Sequence, residues 1–252
     1  MIRSGHIFHR LGQIPWRCEL DWPILLFALF GGFGAALLGA MGGSLLGSLI
    51  PLGDPAMPVA VMSIGQGMAA SVFLLVVLGL FPPKGEFSAK LGIRPLRCGD
   101  FLAVVIGMAA ILLVGNSVTA GWQTLLEWLG ISYEEKQDLV RIMAGAGPVA
   151  QAGLVFGTVI CAPISEEIFF RRVLYGLLRP LGAVSSVLLC SLIFSLIHFF
   201  LLGIPALFVM GLTFQVIYLV RGNLLSAMLM HGVMNLTVCV STLWFPEAAF
   251  LF

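Results

Sequence analysis

The stretch Ala162-Pro-Ile-Ser-Glu-Glu-Ile-Phe-Phe-Arg-Arg-Val-Leu-Tyr-Gly176 decides how this chain is read. It lies inside a long apolar segment, yet it carries two adjacent carboxylates and two arginines. A charge at membrane depth costs about 2.5–3.5 kcal/mol on insertion scales, so it persists where it is paired or used. On a helix, Glu167 and Arg171 stand one turn apart on one face, in the favourable order for an i,i+4 ion pair. Glu166 shares its face with Phe169, Phe170 and Val173, so its partner has to come from another helix.

The surrounding chain sets the solvent. Of 252 residues, 60% are hydrophobic and 10% charged, and the mean hydropathy is +1.06. An ordinary soluble domain carries about 25% charged residues. The expected fold is all-α: a polytopic membrane helix bundle of about seven transmembrane helices, with room for an eighth. Residues 1–22 read as an N-terminal cytoplasmic tail and 23–252 as one membrane-embedded helical domain. The spans fall near 23–50, 57–81, 101–129, 149–178, 182–200, 204–220 and 224–244. The first is rich in glycine, which permits close helix packing. Ser132-Tyr-Glu-Glu135 reads as a capping box opening a short amphipathic helix on the membrane surface. Pro163 interrupts the fourth span just before the paired acids, where it removes a backbone hydrogen bond.

Several classes of function are not supported. A net charge of +1 gives no footprint for nucleic acid, and no phosphate loop or dinucleotide motif is present. Cys18, Cys98, Cys161, Cys190 and Cys239 are scattered singly, without a disulfide framework or a CxxC metal site. His6 and His9 in the tail have no third ligand nearby. Twenty-one largely polar residues precede the first apolar stretch, which does not fit a cleaved signal peptide.

Loop charge sets the expected orientation. With the N-terminus in the cytoplasm, that side collects Arg3, Arg10, Arg17, Lys84, Lys90, Arg94, Arg97, Arg172, Arg179 and Arg221, against Lys136 and Arg141 on the other. The expected location is the plasma (inner) membrane.

Two further spans carry histidine. Ser191, Ser195 and His198 follow one helical face of the fifth span, and His231 and Asn235 stand one turn apart on the seventh. A lone membrane histidine often does no more than bond a carbonyl, and Gln66, Asn116, Gln151 and Gln215 read most simply as interhelical hydrogen-bonders. Glu166, two histidines and Asn235 on three spans, however, are what a bundle uses to build a site in its core.

Glu166-Glu167-x-x-x-Arg171, Phe194-x-x-x-His198 and His231-x-x-x-Asn235 together resemble the three motifs of the CAAX protease and bacteriocin-processing (CPBP) family. That family includes the type II CAAX prenyl endopeptidases and Abi-type membrane proteins. The resemblance covers a core at about 149–244; Arg172 departs from it, since members often have glycine after the motif arginine. The resemblance implies an intramembrane endopeptidase in which Glu166 and His198 activate a water while His231 and Asn235 stabilise the oxyanion. Glu167 and Arg171 would support the site. The implied partner is a membrane-associated peptide or protein, lipidated or not. No cofactor is expected; the alternative is zinc held by Glu166, His198 and His231, although no HExxH helix is present. A non-catalytic scaffold or immunity protein, or a proton-coupled transporter, would use the same polar residues differently, and no internal repeat favours a transporter.

Overall fold

In the computed structural model, residues 22–80 and 92–245 are described. The tail with His6 and His9, and Lys84 and Lys90, lie outside them. The described residues form eight helices and no strand: α1 (Trp22–Ser48), α2 (Met57–Leu80), α3 (Cys98–Trp128), α4 (Asp138–Gly145), α5 (Pro148–Leu181), α6 (Ala183–Leu196), α7 (Ile204–Arg221) and α8 (Leu224–Trp244). All but α4 and α6 are long and apolar enough to cross a membrane. Their outer faces leave Phe30, Phe33, Leu38 and Leu113 exposed, an apolar surface suited to lipid.

The glycines of α1 allow the close packing that their number suggests. A Cβ at Gly39 would collide with the Gly65 carbonyl of α2, and one at Gly43 would press into the Val61 backbone. The α1–α2 hairpin therefore closes with backbone against backbone. On its other side α2 meets α5 the same way: a Cβ on Gly67 would lie 2.7 Å from Cys161 Cβ, two residues before Pro163.

The long helix α5 absorbs Pro163 without a break. A π-helical turn at Gly157–Cys161 precedes it, and Ala162 N–H donates to Gly157 O, five residues back. The extra residue makes room beside a proline that has no N–H to give to Val159 O. A second π-helical stretch, Ile168–Leu174, comes after the acids. Helix α8 fits against the first turn. Asn235 Nδ2 donates to Thr158 O at 2.8 Å, and a Cβ at Gly232 would stand 3.0 Å from Val159 O.

Two expectations change. The capping box does not form: α4 begins at Asp138 with Gln137 before it, and Tyr133 instead donates its hydroxyl to Glu127 at 2.8 Å. Asp138 and Glu134 both pair with Arg141, which fixes the start of α4 later than Ser132. Its apolar side is as expected, with Met143 buried and Leu139 and Ile142 packed against Ala150 and Leu154. The fifth span is shorter than its hydrophobic run suggests. Helix α6 has 14 residues, about 21 Å of rise against a hydrocarbon core of about 30 Å. It stops because Phe199, at φ +49°, occupies the left-handed conformation that glycine usually takes after a helix.

A polar cluster lies at the other end of the bundle. The segment before α3 is stapled there to the membrane helices. Asp100, fully buried, accepts from Arg94 (2.9 and 3.0 Å), Arg221 Nε (2.8 Å), Ser226 Oγ (2.9 Å) and Arg97 N–H (2.8 Å). Asn223 Oδ1 caps α8 at Leu225 N and also holds Arg94 N. This cluster ties the start of α3 to the α7–α8 turn.

Candidate active site

Glu167 and Arg171 are fully buried and joined by Nε→Oε2 at 2.7 Å and Nη2→Oε1 at 3.3 Å. The i,i+4 pair survives although π-helical turns begin at Ile168. The guanidinium also sits among three rings, 5.8, 5.7 and 5.9 Å from the centroids of Phe170, Phe194 and Phe214. Desolvated cation–π contacts contribute about 2 kcal/mol. Its remaining arm, Nη1, reaches α7 and donates to Gln215 Oε1 at 3.2 Å.

His231 arrives from α8. Its Nδ1 bonds Glu167 Oε1 at 3.0 Å, and its Nε2 lies 3.9 Å from Glu166 Oε2. Phe214 stacks on the ring, with centroids 4.8 Å apart and planes at 25°. Glu167 is thus a hinge between a cation on its own helix and an imidazole from another. Glu166 lacks such partners: its Oε2 is buried and accepts no hydrogen bond from any described residue.

His198 stands past the end of α6, not on it. Its Nδ1 lies 2.7 Å from Phe194 O. The Phe194 ring touches both histidines, at 4.8 Å from His198 and 5.8 Å from His231. Ser191 and Ser195 do not extend a polar stripe toward it, because each hydroxyl bonds a carbonyl of α6 itself. Asn235 is one turn beyond His231 and spends one amide N–H on Thr158 O.

The partners fix the tautomers. A carbonyl oxygen only accepts, so Nδ1 of His198 carries a hydrogen and its Nε2, when the ring is neutral, a lone pair. A carboxylate beside an arginine likewise accepts, so His231 donates from Nδ1. Both rings then present Nε2 as a base; His231 can donate from Nε2 as an imidazolium.

Zinc would need three ligands that converge. Among the described residues no three His, Cys, Asp or Glu side chains are arranged to hold an ion. Glu166 and His231 approach each other, while His198 is linked to them through Phe194.

Comparison with known proteins agrees with this core. A family model described as type II CAAX prenyl endopeptidase Rce1-like matches residues 148–237. The membrane-embedded CAAX protease MroQ of Staphylococcus aureus (strain USA300) is 32% identical over 192 residues, covering 72% of each chain. The chain belongs to the CPBP family. No solved structure matches it. As a CPBP protein it is an integral, multi-pass membrane protein of a protease family, and such proteases act on membrane-associated peptides in general. The family match runs from α5 into α8, the segment that holds the two acids, both membrane histidines and Asn235. Two features of the site lie beyond the three motifs. Gln215 and Phe214 come from α7, which carries no motif residue, and the signal for them is a lone amide beside an aromatic at membrane depth.

Proposed function

We propose that this protein is an intramembrane endopeptidase that hydrolyses a peptide bond of a membrane-associated peptide or protein with a glutamate-activated water. The observation that carries this reading is Glu166 Oε2: a buried carboxylate oxygen that no hydrogen bond from a described residue satisfies, 3.9 Å from an imidazole. An unsatisfied buried acceptor costs about 1–3 kcal/mol, and a water lying between Glu166 and His231 is the partner that relieves it. Glu166, assisted by Nε2 of His198, takes a proton from that water as its oxygen adds to the scissile carbonyl. The developing oxyanion receives the free amide N–H of Asn235 and Nε2–H of His231 in its imidazolium form. Such donors contribute about 10²–10³ in turnover each. The proton held by Glu166 then passes to the leaving nitrogen as the C–N bond breaks, and the acid group returns to its carboxylate.

Glu167 acts on His231 as the carboxylate of a catalytic triad acts on its histidine, fixing ring and tautomer. No metal takes part. The N-terminus lies in the cytoplasm and the protein resides in the plasma membrane, a reading supported by Arg94 and Arg221 meeting at one end of the bundle.

Glu166→Gln tests the proposal because it removes the base and almost no volume. Purified variant in detergent should cleave no membrane-tethered peptide that the wild type cleaves, with an unchanged melting temperature. Full cleavage by the variant would refute Glu166 as the base, and a wild type that cleaves no membrane-tethered peptide would refute the peptidase reading.

A further inference from the structure

We infer that Gln215 is a positioning residue for His231, acting through Arg171 and Glu167; this rests on the peptidase reading of the same site. The chain of contacts is continuous. Gln215 Oε1 accepts from Arg171 Nη1 at 3.2 Å, Arg171 grips Glu167 at 2.7 and 3.3 Å, and Glu167 Oε1 holds His231 Nδ1 at 3.0 Å. From there Nε2 faces Glu166. The relay starts on α7, crosses α5 and ends on α8.

Competition for one oxygen gives the relay its effect. Arg171 Nη2 and His231 Nδ1 both reach Glu167 Oε1. Gln215 draws the guanidinium toward α7 through Nη1, which keeps the Arg171 contact to Oε1 long and leaves that oxygen to the imidazole. Without this acceptor a buried guanidinium N–H is orphaned, and the nearest carboxylate is the one His231 uses. Arg171 then closes on Oε1, and His231 loses the bond that sets its tautomer and its aim at Glu166.

A packing role alone does not account for glutamine here. Gln215 is fully buried, and its Nε2 has no hydrogen-bond partner among the described residues. Methionine would fill similar volume and leave no such amide behind. What methionine cannot do is accept from Arg171.

The test is Gln215→Met in the full-length protein labelled with ¹⁵N-histidine, with His231 assigned by comparison with His231→Ala. The expected result is a changed pair of His231 ring-nitrogen signals and a turnover about 10–100-fold lower with KM unchanged. Gln215→Glu, which keeps an acceptor for Arg171, should retain more activity than Gln215→Met. If Gln215→Met does not fold, Gln215→Asn keeps an amide but withdraws it by one methylene, and the same changes are expected. A folded Met or Asn variant with wild-type His231 signals and wild-type turnover overturns the inference, whatever its melting temperature. The nitrogen signals are read without any substrate, so this outcome is separate from that of Glu166→Gln, which bears on the peptidase reading itself.

Discussion

Replacing Glu167 by alanine leaves Arg171 as a buried cation whose acceptor is reduced to Gln215, and frees His231 Nδ1. Breaking a buried pair in this way costs about 3–5 kcal/mol, so Glu167→Ala should lower the folded yield and the melting temperature in detergent. A variant as stable as wild type would contradict the contacts described. The question of metal is also decided at this scale. Exhaustive treatment with a strong chelator should leave activity intact and elemental analysis should find no stoichiometric zinc; loss of activity restored by one equivalent of zinc would reassign Glu166, His198 and His231 as ligands. The pairing of Glu167 with Arg171 is readable in the sequence because it is local: four residues on one helix fix it. The bond from His231 to Glu167 is not. The motif resemblance points His231 to an oxyanion, and nothing in its own helix marks which acid it meets. The three-ring surround of Arg171 is equally hidden, because Phe170, Phe194 and Phe214 come from three helices and nothing local marks that they meet.

Among the helices, α5 carries the most consequential departure from regular geometry. Pro163→Ala would restore a backbone N–H at this position and let the π-helical turn at Gly157–Cys161 close into an α-helix. Removing one residue from a turn rotates the downstream part of the helix by about 100°, which would carry Glu166 away from His231 and the Thr158 carbonyl away from Asn235. Such a variant should be folded and helical by circular dichroism yet strongly reduced in cleavage; wild-type activity would mean that the packing of α2 and α8, not Pro163, holds the turn. Hydrophobic runs make the long helices legible with small boundary errors. They do not reveal π-helical turns, whose cause lies in how Gly67, Gly232 and Asn235 of neighbouring helices receive the freed backbone. The start of α4 escapes the sequence for a related reason. Ser132 has the chemistry of a cap, but Tyr133 is drawn to Glu127 and Gln123 of α3, and the first turn forms around Asp138 and Arg141 instead.

For the whole molecule, the end of the bundle that holds Asp100, Arg94 and Arg221 should face the cytoplasm. Reporter fusions in the 84–100 connector should give a cytoplasmic signal and fusions in 130–137 an external one; the reverse would overturn the orientation. Loop charge is the sequence signal for that polarity, whereas nothing local marks Asp100, because its partners are spread over more than a hundred residues of chain. The shortness of α6 has a wider consequence. The helix is about 9 Å shorter than the hydrocarbon core of a bilayer, and lipid adjusts to a short spanning segment by thinning beside it. Such thinning would bring headgroups and bulk solvent down toward the turn that bears His198 and the almost wholly exposed Phe199. On the peptidase reading, each turnover would use up a solvent molecule in a place where that solvent is scarce. A dimple in the membrane at the end of α6 would keep the second reactant in supply.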